Sequence, residues 1–197
     1  MAQPFSPRAT FVARCALAGL AGAVILAGGV TYGVSRSGWF RDVGNAPPQP
    51  VPFSHLLHAG DLGVDCRFCH TTVERFALAG LPSTETCLTC HSGLPVGGAA
   101  LAPVRAAFDM REPLLWNRVH RVPDHARFHH GVHVSAGFTC TDCHGEVETM
   151  PRVAKAETLS MTWCLDCHRT APVSSPASTD GTGRHLEPLT DCSRCHR

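Results

Sequence analysis

The cysteines of this 197-residue chain form a repeated pattern that constrains its fold more than any other feature. Ten of the 11 cysteines lie in five copies of the motif C-x-x-C-H. The copies span residues 66–70, 87–91, 140–144, 164–168 and 192–196. The remaining cysteine, Cys15, lies in an apolar N-terminal segment. A single motif therefore accounts for almost the whole cysteine content.

The spacing of this motif is typical of covalent haem attachment. Two thiols can reach the two vinyl groups of one porphyrin, and the following imidazole binds the iron as its proximal ligand. Zinc knuckles and thioredoxin-like pairs are alternatives, but neither requires a histidine directly after every second cysteine. We therefore predict five covalently attached haem c groups. The attaching residues are Cys66, Cys69, Cys87, Cys90, Cys140, Cys143, Cys164, Cys167, Cys192 and Cys195, and the proximal iron ligands are His70, His91, His144, His168 and His196.

A haem that only transfers electrons needs a second axial ligand, whereas an open iron position indicates catalysis. Eight of the 13 histidines remain for this role. Four of them lie in two F-x-H-x-x-H segments, residues 53–58 and 128–133, each of which precedes a C-x-x-C-H motif. Histidines three residues apart share one face of a helical turn, so each segment can hold the irons of two neighbouring haems. This predicts His55, His58, His130 and His133 as distal ligands.

The fifth distal ligand is less constrained by pattern. We expect His120 to be this ligand, and His125, His129 and His185 not to bind an iron. Met150 and Met161 precede the fourth motif, and either would raise the potential of its haem if it bound the iron. Core packing is the expected role of both methionines.

The uncharged segment of residues 15–34 predicts a membrane anchor, with arginines on both sides. At about 1.5 Å per residue, a helix of this length spans the roughly 30 Å hydrocarbon core. A cleaved signal peptide is the alternative, but the segment is long for one and no clear A-x-A site follows. Haem is attached to C-x-x-C-H outside the cytoplasm, which predicts a bacterial inner-membrane protein with a periplasmic haem domain. The expected divisions are a cytoplasmic N-terminus (1–14), the anchor (15–34), an interfacial segment with a proline-rich linker (35–52) and a periplasmic pentahaem domain (53–197).

The expected fold class is mainly α with long loops and little sheet, built around five haems. Aliphatic residues after the anchor are sparse and their periodicity is poor, so porphyrins would supply much of the apolar core. A short helix is predicted around Leu101–Phe108, and an exposed loop at residues 171–183. The formal charge of +1, without a basic stripe, argues against a nucleic-acid partner.

Several segments between the motifs carry a more specific resemblance. They are Trp116–Asp124, Phe128–His133, Cys140–Gly145 and Leu159–Arg169. The F-x-H-x-x-H arrangement resembles class III multihaem cytochromes. With the N-terminal helix and five motifs, nearly the whole chain is similar to the pentahaem cytochrome c subunit of bacterial alternative complex III.

That resemblance implies a role as an electron-transfer subunit rather than an enzyme in itself. The complex is a respiratory or photosynthetic quinol oxidoreductase. Its membrane subunits hold the quinol site, an iron–sulfur subunit donates electrons, and a monohaem cytochrome c or terminal oxidase accepts them. One departure concerns His125, which follows Pro123 and Asp124 where the family leads us to expect an aromatic or apolar residue. This leaves His125 open as a ligand in place of His120.

Two other functions compete with the relay. A stand-alone membrane-anchored quinol dehydrogenase feeding a periplasmic reductase fits the anchor and the haems equally well, but needs its own quinol pocket beside a haem. A haem enzyme converting a small molecule such as nitrite would need an open iron position, and the chain has spare histidines for every iron.

Overall fold

The computed structural model describes residues 6–93, 98–170 and 189–196 of the chain. It divides into two compact units, Met1–Asp42 and Val43–Arg197. The predicted loop at residues 171–183 and His185 lie outside the described residues.

The first unit is dominated by one long helix, α1 (Pro7–Arg36). Pro7 stands at the first helical position, where its missing N–H costs nothing, and the Ser6 hydroxyl accepts a hydrogen bond from the Ala9 amide at 3.3 Å. Its most apolar stretch has a mean hydropathy of 1.9, and none of that stretch is buried within the structure. Helix α1 is therefore long and apolar enough to cross a membrane, a property it shares with signal sequences. It contains the whole of the anchor predicted at residues 15–34.

The second unit consists of short helices joined by long loops. After a π-helical turn (Leu56–Asp61), its α-helices are α2 (Cys66–Cys69), α3 (Thr84–His91), α4 (Ala102–Met110), α5 (His130–Ser135), α6 (Thr141–His144), α7 (Met161–Thr170) and α8 (Cys192–Cys195), with 3₁₀ turns at Gly98–Leu101 and Val147–Thr149. Within the described ranges no β-strand is formed, and one isolated antiparallel bridge joins Ala126 to His196. The mainly helical fold class is confirmed.

The apolar core of this unit is small. Val51, Leu101 and Val104 form its buried centre, and partly buried side chains pack around them, namely those of Cys87, Leu88, Leu114 and Trp116. Helix α4 contributes Val104 to this cluster, also buries Ala107, and ends at Arg111, whose φ of 57° is left-handed. The helix predicted around Leu101–Phe108 is confirmed.

The proline-rich segment before residue 53 is attached to this core. Val51 is buried in it, and Asn117 exchanges hydrogen bonds with the segment. The Gln49 side-chain amide donates to the Asn117 carbonyl at 2.9 Å, the Asn117 amide donates to Gln49 Oε1 at 3.0 Å, and Asn117 Nδ2 donates to the Pro48 carbonyl. Residues 48–51 thus pack as part of the domain, whereas the sequence suggested a linker.

The π-helical turn packs on the 3₁₀ turn that follows α6. The Leu56 amide donates to the Met150 carbonyl at 3.0 Å. Gly60 lies so close to the Glu148 carbonyl oxygen that a Cβ at this position would collide with it. A glycine is therefore required where the segment before the first motif meets the segment after the third.

Candidate haem-binding sites

Each C-x-x-C-H motif lies on one turn of helix, which brings its two thiols to the same face. The motifs coincide with α2, the end of α3, the span from Cys140 through α6, the middle of α7, and α8, and we number the sites 1 to 5 in that order. An aspartate caps two of these turns: Asp65 accepts from the Arg67 amide at 2.7 Å and Asp191 from the Ser193 amide at 2.8 Å. No disulfide joins the cysteines of the five motifs, all of which lie in the described residues.

A common hydrogen bond orients five of the predicted ligand histidines. In each, Nδ1 lies 2.7 to 3.1 Å from a main-chain carbonyl oxygen, so the ring donates from Nδ1. A ring held in this way can bind a metal through Nε2. The histidines are His58, His70, His130, His133 and His168, bonded respectively to the carbonyls of Ser54, Gly80, Ala77, His129 and Leu189.

Three pairs of predicted proximal and distal ligands lie at the separation that one iron would require. With imidazole–metal bonds of about 2 Å, two rings on opposite sides of an iron have centroids roughly 6 Å apart. The centroids are 6.0 Å apart for His58 and His91, 6.3 Å for His130 and His144, and 6.1 Å for His133 and His168. These pairs correspond to sites 2, 3 and 4.

The two F-x-H-x-x-H segments have the same ring geometry. Phe53 meets His55 edge-on at 4.9 Å and stacks on His58 at 4.4 Å. Phe128 meets His130 edge-on at 4.8 Å and stacks on His133 at 4.6 Å. The phenylalanine therefore fixes both imidazoles of each pair, which explains its place in the repeated pattern.

His55 is the remaining histidine of the first segment and lies in the neighbourhood of His70. Burial lowers the pKa of His55, and the nearby His70 and His58 lower it further. Its Nδ1 is buried, and within the described residues it has no hydrogen-bond partner. His55 is thus the distal candidate for site 1.

The rings of His120 and His144 meet edge-on, with centroids 4.3 Å apart and an angle of 87° between planes. Burial, then the charges of Lys155 and His130, lower the pKa of His120 to about 4. Burial likewise lowers the pKa of His144 to about 4, with His120 as the largest of its neighbouring charges. Both rings are therefore neutral at physiological pH.

The predicted ligand of site 5, His196, faces a different histidine. Its ring stacks on that of His125 with centroids 5.6 Å apart and 18° between planes. Main-chain contacts hold the two segments together, because Ala126 bridges to His196 and the Arg127 amide donates to the Cys195 carbonyl at 2.6 Å.

Three residues that we expect not to bind iron lie at or next to the short helices and turns of the domain. His129 caps α5, its Nδ1 accepting from the Val132 amide at 3.3 Å. The Met150 sulfur accepts from the Ala154 amide at 3.5 Å. Met161 begins α7 and is 61% exposed, so the polypeptide does not bury it in a core as the sequence suggested.

Thiols of different sites also approach one another. The pKa of the Cys66 thiol is raised by burial first and by the nearby Cys140 second. Burial raises the pKa of Cys69, with a further contribution from Cys90. Burial also raises the pKa of Cys164, and Cys195 adds to the shift. Attachment cysteines of sites 1 and 3, 1 and 2, and 4 and 5 are therefore neighbours.

These observations fit a haem c group at each site. Large apolar side chains beside the motifs are exposed in the polypeptide, for example Phe76 at 59%, Leu78 at 65% and Val132 at 63%. Flat apolar porphyrins would cover such side chains, free thiols would attach them, and free Nε2 atoms would bind the irons. In the described ranges, no group of three or more His, Cys, Asp or Glu side chains is placed to hold a metal by itself, so the zinc alternative gains no support.

Comparisons with known proteins agree with this chemistry. The family model described as "Cytochrome c7 and related cytochrome c" matches residues 126–197. A protein of Nitratidesulfovibrio vulgaris (strain Hildenborough), "Menaquinone reductase, multiheme cytochrome c subunit", is 30% identical over 155 residues. The match covers 75% of this chain and 67% of the relative.

Proposed function

We propose that this chain, which belongs to the family of multihaem cytochromes c that includes the menaquinone reductase subunit, relays electrons through five haems of a quinone-linked membrane complex. Quinone-linked electron transfer is what the relative's description indicates. Membership of the cytochrome c family implies covalent haem c, and the five motifs support a count of five. Redox chemistry with quinone would occur on a partner subunit, and this chain would transfer the electrons.

The side chains have the properties that a conducting role needs. Haem c, when bound, supplies reversible one-electron chemistry at its iron. The paired imidazoles would close both axial positions, which leaves no position for a small substrate. The Nδ1 hydrogen bonds to main-chain carbonyls fix ring orientation, so little rearrangement would accompany a change of charge.

The observation that carries the proposal is that residues of successive sites lie close together. Sites 1 and 2 share the turn that holds His55 and His58, and sites 3 and 4 share the turn that holds His130 and His133. The Cys66–Cys140 contact supports adjacency of sites 1 and 3.

Sites 4 and 5 are linked through a loop. The His168 ring contacts the Leu189 carbonyl at 3.1 Å, three residues before Cys192. Together the four contacts support the order 2–1–3–4–5, in which electrons could enter at one end and leave at the other.

The N-terminal helix supports a membrane location. We propose that residues 15–34 of α1 anchor the chain in a bacterial inner membrane and that the haem domain, residues 53–197, is periplasmic. Residues 1–14 would lie in the cytoplasm, and residues 35–52, of which 48–51 pack on the domain, would connect the helix to it. Attachment of haem to C-x-x-C-H outside the cytoplasm is the reason for this orientation.

We further propose that the complex is of the alternative complex III type. The resemblance at Trp116–Asp124 and Leu159–Arg169 supports this choice. The partners would then be quinol-binding membrane subunits, an iron–sulfur subunit as donor, and a monohaem cytochrome c or terminal oxidase as acceptor.

Isolation from native membranes in mild detergent tests the relay. We expect the haem-stained chain to co-purify with an iron–sulfur subunit and membrane subunits, and added quinol to reduce its haems. The same chain expressed alone in membranes should not be reduced by quinol. Quinol-driven reduction of the isolated chain would support the stand-alone dehydrogenase and overturn the relay, and a purified chain without covalent haem would overturn both.

A further inference from the structure

The sequence does not decide whether His120 or His125 is the fifth distal ligand. The two histidines have different neighbours in the structure. The proximal candidates of sites 2, 3 and 4 each have a partner ring 6.0 to 6.3 Å away, and His55 lies near His70. His196 is the proximal candidate without a partner from the F-x-H-x-x-H segments.

His125 lies where a partner of His196 is needed. The 5.6 Å between their ring centroids is close to the roughly 6 Å that two imidazoles on one iron require. The contact is between residues far apart in the chain, and it is held by main-chain atoms. The Ala126–His196 bridge and the bond from the Arg127 amide to the Cys195 carbonyl join the residues next to each ring.

The segment that carries His125 is itself fixed by a turn. The Ala126 amide donates to the Pro123 carbonyl at 2.9 Å, so His125 lies inside a closed turn that begins at a proline. The backbone that carries the two rings is therefore fixed on both sides of the contact.

His120 does not have this geometry with any proximal candidate. It meets His144 edge-on at 4.3 Å, too close for an iron to lie between the two rings. His144 already has a parallel partner in His130, at 6.3 Å and 4°.

We propose that His125 is the second axial ligand of the haem attached at Cys192 and Cys195, and that His120 does not bind an iron. This inference rests on the proposed binding of haem c. It makes both ligands of site 5 depend on the short main-chain bridge at the C-terminal motif.

Paired variants of the full chain, produced with haem attachment and purified from membranes, test the assignment. His125→Gly should give a high-spin iron signal and carbon monoxide binding equal to one haem of the five attached. Added imidazole should return that haem to the low-spin state. His120→Gly should leave every haem low-spin and unreactive toward carbon monoxide.

A methionine substitution gives a second, positive signal. His125→Met should produce a sulfur-to-iron charge-transfer band in the oxidised spectrum and raise one midpoint potential, whereas His120→Met should produce neither. Should His125→Gly destabilise the site, loss of haem from the Cys192–Cys195 peptide alone would support the assignment. High-spin iron in His120→Gly, or low-spin iron throughout His125→Gly, would overturn it while leaving the relay proposal intact, because haem would still be attached.

Discussion

The rings of His130 and His144 lie parallel, with 4° between their planes and 6.3 Å between their centroids. His130 begins α5, and its Nδ1 donates to the Ala77 carbonyl at 2.7 Å. That carbonyl belongs to the loop after the first motif, whereas His144 ends the third. A single ring therefore joins the loop after the first motif to the last residue of the third motif.

The number of attached haems is the first expectation. The intact mass of the purified chain should exceed that of the polypeptide by five haem c groups, and replacing both cysteines of any one motif by alanine should remove one. Haem content by pyridine haemochrome measurement checks the count. Replacing Cys15 by serine is the matched control and should remove none, and a holoprotein with four or fewer haems would contradict the count.

His130→Met should change the spectrum of one haem. The thioether would replace an imidazole at site 3, so a sulfur-to-iron charge-transfer band should appear and one midpoint potential should rise. Because site 3 lies inside the proposed order, the electron would be held there, and the equilibrium constant for passing it onward should fall about tenfold for each 59 mV of increase.

The neighbouring histidine provides the control for this variant. His129→Asn keeps a capping side chain for α5 and should leave spectrum, potentials and reduction kinetics unchanged. Titration followed by visible spectroscopy and stopped-flow reduction measures all three. A low-spin spectrum in His130→Met identical to that of the unmodified protein would exclude His130 as a ligand.

Gly131→Ala should destabilise the contact between α5 and the loop after site 1. A Cβ there would lie 2.7 Å from the Glu74 carbonyl oxygen and 3.0 Å from its carbon, both backbone atoms that cannot swing away. We expect a loss of about 1–3 kcal/mol in the free energy of unfolding, as for overpacked cores. Gly93→Ala, where no atom lies within 4 Å of the new Cβ, is the control. Denaturant unfolding compares the two, and equal stability would show that this contact is relaxed in solution.

Asp191 should give α8 a pH-dependent cap. Hydrogen bonds from Ser193 lower the pKa of Asp191 below its ordinary value of 3.8. A lowered pKa means that the cap is complete above the ordinary value and is lost as pH falls through the lower folded-state value. The Ser193 amide resonance of the fully reduced, diamagnetic protein should therefore be constant from neutral pH to about 4 and shift only below it.

Asp191→Asn isolates this effect. Asparagine caps a helix without titrating, so the Ser193 resonance should lose its acid shift. Any change that persists in the variant comes from other groups, and an unchanged acid shift in Asp191→Asn would rule out the carboxylate as its cause.

The membrane anchor can be checked by mass and by fractionation. The mature protein should retain α1, so its intact mass should include residues 15–34. Removal of residues 1–36 behind a cleavable secretion signal should release a haem-loaded domain that no longer fractionates with membranes. Mature protein that begins after residue 34 would show that the helix is a signal peptide instead.

The sequence could predict those parts of the sites that depend on local spacing. One helical turn determines the C-x-x-C geometry, and one turn also places His55 with His58 and His130 with His133, so their neighbourhood can be read from the motif. The apolar α1 follows equally directly from composition.

Contacts between distant segments could not be read in this way. The Ala126–His196 bridge joins residues separated by 70 positions, and no local pattern distinguishes His125 from His120. The burial of Val51 and the bonds from Asn117 to Pro48 and Gln49 could not be predicted for the same reason. A proline-rich segment is typical of a spacer, and its sequence does not show which distant residues it packs on.

The small apolar core has a consequence for how such a protein is made. With buried apolar side chains limited, in the described ranges, to Val51, Val73, Leu101, Val104 and Ala107, the bare chain has little to hold it in shape. We expect the chain to be unfolded when haem-attachment enzymes act on it during export. Each porphyrin would then be the apolar surface on which the next segment of the chain folds. Maturation and folding would then be one process. Failure to attach one haem would also impair folding around the neighbouring haem whose ligand lies on the same turn.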